Sequence, residues 1–175
     1  MKGVRFPDGF GLESLARKHP RRAFHCGTRE VDDWLATKAL QHQEKRLSVT
    51  KVVLDQAGAI AGYYTLATGQ VDFGDLPPEV VKRLPRRLLP VAVLAWLGVS
   101  TRCQGQGMGR LLLGQALRDC HEAGKTIAFI AILLDCIDDN AKAFYRHWDF
   151  KELPGHPYRL FLGAKCLAAM MEDTG

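Results

Sequence analysis

The chain has 175 residues, 47% of them hydrophobic and 25% charged, with a formal net charge of +5. That balance fits one globular domain spanning residues 1–175 with a sizeable core, and excludes a disordered or low-complexity polymer. No apolar run reaches the roughly 20 residues of a membrane span, and five scattered cysteines without a C-x-x-C pair argue for reduced thiols rather than a zinc site or a disulfide scaffold.

The first 23 residues show little periodicity and are expected to form an irregular or strand-like lead. Met1–Pro7 lacks the apolar core of a signal peptide, so the cytoplasm is the expected compartment. Thr28 is placed to cap a helix from about 29 to 46, with Val31, Trp34, Leu35, Ala39 and His42 on the inner face. Arg29, Asp33, Lys38, Lys45 and Arg46 fall on the outer face. Ser48–Leu54 and Ile60–Ala67 read as strands around a turn at Asp55-Gln56-Ala57-Gly58. Pro77-Pro78-Glu79 opens a short helix that ends before Pro85. Val91–Val99 is a strand, and a helix spans Arg110–Ala123 with Gly124 as its stop. The apolar run Thr126–Leu134 reads as a buried strand. Asp138 or Asp139 caps a helix carrying Tyr145, Tyr158–Gly163 is a last strand, and the tail beyond Lys165 has a short helical pattern.

Between the strand ending at Val99 and the helix after Arg110 lies Gln104-Gly105-Gln106-Gly107-Met108-Gly109-Arg110. A strand, a glycine loop and a helix start form a cradle for an anion, because glycines let backbone N–H groups approach and the helix dipole favours negative charge. The dinucleotide fingerprint G-x-G-x-x-G is excluded by glycines at 105, 107 and 109, and the ATP/GTP loop by Arg110-Leu111 where Lys-Ser/Thr is needed. By spacing alone, a plain strand-to-helix turn fits as well as an anion site.

Three segments in order carry a family resemblance. Gln104-x-x-Gly107-x-Gly109 after an apolar strand resembles the pyrophosphate loop of the GNAT acetyltransferase superfamily. Asn140-Ala141-Lys142-Ala143-Phe144-Tyr145-Arg146-His147-Trp148-Asp149-Phe150 resembles the superfamily's segment with an Asn near the cofactor and a Tyr near the thioester sulfur. Phe24-His25-Cys26-Gly27 and Val31-Asp32-Asp33-Trp34-Leu35, with Gly62-Tyr63-Tyr64-Thr65-Leu66-Ala67, are similar to one subgroup: toxins of type II toxin–antitoxin systems that acetylate aminoacyl-tRNA. The resemblance covers roughly residues 23 to 163. It departs at Trp96 and Ser100, where the subgroup usually shows Arg and Asp, and at Asp149, where Gly is usual. Asp tolerates the left-handed conformation that such a helix end needs.

The alternation of strands and helices gives an α/β (α+β) class. The resemblance implies the GNAT fold, a mixed, mostly antiparallel, splayed sheet flanked by helices. It implies acetyl-CoA as cosubstrate, with Leu97, Gly98 and Val99 along the pantetheine arm, Gln104, Gly105, Gln106, Gly107, Met108, Gly109 and Arg110 at the pyrophosphate, and Asn140 on the cofactor side. Tyr145 would be the general acid to the departing thiolate, and a small ribbon-helix-helix antitoxin and a second copy of the chain would be partners. Without the family, Tyr145 also fits a core aromatic and Asn140 a plain first-turn residue. His147 and Asp149 read as a solvated helix face and a helix end.

The basic clusters fit either phosphate-backbone binding or a solvated surface. If the acceptor is aminoacyl-tRNA, Lys38, Lys45, Arg46, Arg83, Arg86 and Arg87 are the candidate phosphate contacts. Two other readings stand beside the toxin: an acetyltransferase acting on a small-molecule amine or a protein N-terminus, and a non-catalytic module binding CoA or nucleic acid.

Overall fold

The computed structural model describes residues 3–173. Met1 and Lys2 of the expected lead, and Thr174 and Gly175 of the expected tail, lie outside the described residues. Seven strands are hydrogen-bonded in the order β1-β2-β3-β4-β5-β7-β6. They are β1 (Gly11–Ser14), β2 (Val49–Leu54), β3 (Ile60–Asp72), β4 (Leu88–Val99), β5 (Ala131–Asp135), β6 (Lys151–Leu153) and β7 (His156–Gly163). The helices are α1 (Arg29–Thr37), α2 (Ala39–Glu44), α3 (Pro78–Val81), α4 (Met108–Gly124), α5 (Asp139–Arg146) and α6 (Ala164–Glu172). β4 and β5 are parallel through Ala92–Ile132 and Val93–Leu133, while β1–β2, β2–β3, β5–β7 and β6–β7 are antiparallel. This is the mixed, mostly antiparallel sheet that was expected. The described residues form two compact units, one of residues 3–67 and 94–117, the other of 68–93 and 118–173.

In the first unit the core gathers Leu15, Phe24, Val31, Leu35, Ala39, Val52, Ile60 and Tyr63. The Tyr63 hydroxyl donates to the Val31 carbonyl at 2.6 Å, and the Phe24 and Tyr63 rings meet edge-on at 5.4 Å. Gly98 of β4 faces this core. A Cβ there would lie 2.7 Å from Val31 Cγ1, 3.2 Å from Tyr63 Cε1 and 3.4 Å from Phe24 Cζ, so only glycine lets α1 pack this near the strand.

The expected helix from 29 to 46 is broken into α1 and α2 at Lys38, whose φ and ψ are −122° and −35°. The Thr37 hydroxyl donates to the Asp33 carbonyl one turn back at 2.7 Å, a bond that bends helices. The Thr28 side chain makes no cap bond, although its carbonyl accepts from Asp32. The helix stops at Glu44 because Arg46 turns left-handed, with φ 59°. The anticipated turn after β2 is present: Asp55 Oδ1 accepts from the N–H groups of Ala57 and Ala59, and Gly58 has φ 81°.

In the second unit Val71, Leu76, Val81, Leu89, Val91, Ala131, Leu133, Leu153 and Phe161 form the core. β3 runs past the expected Ala67 to Asp72, and β4 begins at Leu88 rather than Val91. The run 126–134 is not one strand. Ile127 is 70% exposed in the turn closing α4, where its N–H bonds the Ala123 carbonyl, and pairing begins only at Ala131. Hydrophobicity alone does not separate a helix-closing turn from a strand start. β6, with one buried residue in three, gave no readable period. Asp149 has φ 66°, the left-handed end that was expected there.

Replacing Gly98 by Ala forces the α1–β4 contact apart. We expect a loss of about 1–3 kcal/mol, read as a lowered urea midpoint with unchanged slope.

Candidate functional site

The glycine loop belongs wholly to the first unit. β4 ends at Val99; the Ser100 N–H donates to the Ala61 carbonyl at 2.8 Å, and a 3₁₀ turn covers Thr101–Cys103. Gln104 then fixes the loop through its side chain. Its amide Nε2 donates to the Cys26 carbonyl at 2.7 Å and to the Val99 carbonyl at 2.9 Å, joining the loop to the end of its own strand and to the segment before α1. Asp32 holds that segment from the other side, accepting the Cys26 N–H on Oδ1 at 2.8 Å and contacting His25 Nδ1 through Oδ2 at 3.1 Å. The Gln104 side chain is therefore structural, and only its N–H is left for an anion.

Gly105 and Gly107 have φ of 73° and 83°, and a Cβ on either would meet nothing within 4 Å. Their need for glycine is conformational, and the space beside them is open. Met108, Gly109 and Arg110 are the first turn of α4, where intrahelical acceptors do not exist for the N–H groups. Among the described residues no protein carbonyl accepts the N–H of any residue from Gln104 to Arg110; the first such bond is Leu111 to Gly107. The helix is anchored by its buried Met108, Leu112, Leu113, Ala116 and Leu117. Leu112 passes so near β3 that a Cβ on Gly62 would lie 2.6 Å from its Cδ1. A rigid row of unpartnered donors at a helix N-terminus fits a pyrophosphate.

Tyr145 and Asn140 belong to α5 in the second unit. Asp138, rather than Asp139, caps that helix by accepting the Ala141 N–H at 2.8 Å. Asn140 is exposed in the first turn. Lys142 and Arg146 both reach Glu152 of β6, at 2.6 and 3.8 Å. Tyr145 is buried, its ring edge-on to Phe144 at 5.1 Å and to Phe150 at 5.8 Å. Burial, with a smaller contribution from the neighbouring Cys136, pushes its phenol well above the ordinary range. Its hydroxyl has no hydrogen-bond partner among the described residues, unlike that of Tyr63. A phenol that stays protonated and has no internal acceptor can give a proton to an outside group. His147 and Asp149 are exposed at the helix end, as expected.

Lys38, Lys45 and Arg46 are exposed in the first unit, and Arg83, Arg86 and Arg87 in the second. Arg86 lies 5.6 Å over the Phe73 ring. All five cysteines are free thiols. Burial raises Cys26 and Cys136 to about 11 and Cys120 to about 12, so none of these three is a ready nucleophile. Among the described residues no His/Cys/Asp/Glu group could hold a metal ion, and no helix is long and apolar enough to cross a membrane.

Residues 46–152 match the model of the acetyltransferase (GNAT) domain. A tRNA-acetylating toxin of Mycobacterium tuberculosis (strain ATCC 25618 / H37Rv) is 35% identical over 151 residues, covering 86% of this chain and 90% of the toxin. Among solved structures, AtaT complexed with acetyl-methionyl-tRNAfMet superposes with a TM-score of 0.85 at 21% identity, over 93% of this chain and 99% of that one. A mutant AtaT toxin bound to the C-terminus of the antitoxin AtaR and acetyl-CoA gives 0.79 at 18% identity, over 94% and 99%. At these identities the two structures speak for the fold.

Burial raises both Tyr63 and Tyr145, so above the ordinary phenol value of about 10 the folded chain binds more protons than the unfolded one. This contribution is full below that pH and is lost as pH rises through it. We expect the urea midpoint to fall as pH rises past about 10, and to fall less in Tyr145→Phe.

Proposed function

Since the chain belongs to the GNAT acetyltransferases and takes its acetyl group from acetyl-CoA, we propose that it is a toxin-type enzyme that acetylates the α-amine of an aminoacyl-tRNA and so blocks translation. One observation carries this reading: 35% identity, across 86% of the chain, to a protein named as a tRNA-acetylating toxin. Acetyl-CoA supplies an acyl carbon activated by a thiolate leaving group. The N–H groups of Gln104 to Arg110 hold its pyrophosphate, and the strand backbone at Leu97 to Val99 bonds the pantetheine arm as an added strand would. Asn140 lies on the cofactor side. Tyr145 holds a proton at Oη and gives it to the departing sulfur; its unengaged hydroxyl supports that role.

The acceptor amine needs little help. The α-amine of an aminoacyl ester titrates near or below a peptide terminus, roughly 8, and is partly neutral at physiological pH, whereas a lysine at roughly 10.4 is not. That difference suits a site that offers an acid and no evident base. Lys38, Lys45, Arg46, Arg83, Arg86 and Arg87 contact RNA phosphates and position the acceptor end without reading its sequence. The partners are a small ribbon-helix-helix antitoxin and a second copy of the chain; a related fold bound to an antitoxin C-terminus supports an antitoxin as partner.

Incubation with radiolabelled acetyl-CoA and total aminoacyl-tRNA should place the label on the aminoacyl group. Label only on other amines would remove the acceptor assigned here. Tyr145→Phe should lower kcat by about 10²–10⁴-fold while leaving acetyl-CoA affinity unchanged, and unchanged transfer would remove the acid role. Affinity for tRNA should fall steeply as salt rises, with a log–log slope that becomes shallower by about 1 for each phosphate-contacting cation removed. An affinity insensitive to salt would rule out the phosphate contacts.

A further inference from the structure

One aromatic assembly of the first unit has no part in the reading above. Trp34 of α1 and Trp96 of β4 are stacked, with ring centroids 5.2 Å apart and planes 13° from parallel. Both are half-buried at the margin of the first core. Trp34 is fixed: its indole N–H donates to Thr65 Oγ1 at 3.2 Å, and that hydroxyl is bonded at 2.7 Å to the buried Thr50. His42 closes one edge of Trp34 at 4.6 Å. Trp96 differs. Its indole N–H has no acceptor among the described residues, and one face of its ring lies on Trp34.

The place of Trp96 on β4 gives the pair its meaning. A cofactor arm held along β4, with its pyrophosphate at Gln104 to Arg110, runs back from Val99 towards Leu97. Its acyl end then falls next to Trp96. Leu94, Trp96 and Gly98 share the α1 face of the strand, as the contacts of Gly98 with Val31 and of Trp96 with Trp34 show. We propose that the Trp34–Trp96 stack is an acceptor subsite that takes a flat π group of the substrate against Trp96, with the free indole N–H as a second contact. This rests on the acceptor reading above. An aminoacyl-tRNA carries two such groups, an aromatic aminoacyl side chain and the terminal adenine. Stacking on an indole prefanchored by a second ring is strong because little ordering entropy is lost.

The test uses the full chain, Trp96→Leu, and Trp96→Phe as the conservative variant. Tryptophan fluorescence is titrated with phenylalanine ethyl ester and, separately, with adenosine monophosphate. At least one should quench the wild type, bind about tenfold more weakly to Trp96→Leu, and recover most of that loss in Trp96→Phe. Acetylation of tRNA charged with phenylalanine or with alanine then separates the sources. A fall in kcat/KM confined to the phenylalanyl ester assigns the side chain, and an equal fall on both assigns the adenine; acetyl-CoA affinity stays constant in either case. Quenching by neither probe, or unchanged probe binding and kcat/KM in Trp96→Leu, overturns the subsite. If the wild type acetylates neither tRNA while quenching depends on Trp96, the acceptor reading falls and the subsite stands.

Discussion

Two hydrogen bonds from one amide determine the conformation of the glycine loop. Gln104 Nε2 binds the carbonyls of Cys26 and Val99, which belong to segments far apart in the chain. With the side chain held there, the loop crosses from β4 to α4 through two left-handed glycines and its N–H groups are left without internal partners. A loop that satisfied its own donors would be a better turn and a poorer anion site. Asp32, by holding the Cys26 N–H, extends the same constraint into α1. The proposed anion cradle would thus be preorganised by neutral and charged contacts that never touch the anion.

Two of the buried phenols, Tyr63 and Tyr145, show how one residue type serves opposite ends. Tyr63 gives its hydroxyl to a main-chain carbonyl and fixes α1 on the sheet. Tyr145 is fixed by its ring alone, between Phe144 and Phe150. Burial keeps both protonated, but only the second has a proton not already committed to the fold.

Much of this was legible in the sequence because the cues were local. The Asp55–Gly58 turn, the cap at Asp138, the left-handed Asp149 and the start of α3 at consecutive prolines all follow from the conformational preferences of single residues. Where a long-range partner decides, the sequence was silent. Nothing in Gln104 announces a bond to Cys26, and the Trp34–Trp96 stack joins positions with no local relation. The misplaced start of β5 has another cause: residues 127–134 are uniformly apolar, and the boundary is drawn by Phe129 packing on Gly124 and by the Ile130 bond to Pro90. At the break at Lys38, the neighbouring Thr37 hydroxyl turns back on its own helix to bond Asp33.

The unengaged hydroxyl of Tyr145 is also one oxygen atom that the architecture does not use. Removing it deletes no bond that the fold uses, so the phenylalanine form keeps the packing, the loop and the basic surface of the parent. On the acid role proposed for Tyr145, the phenylalanine chain would be a usable trap. On the proposed function, it would hold donor and acceptor without turning them over, and a cell harmed by the parent's acetylation could make it in quantity.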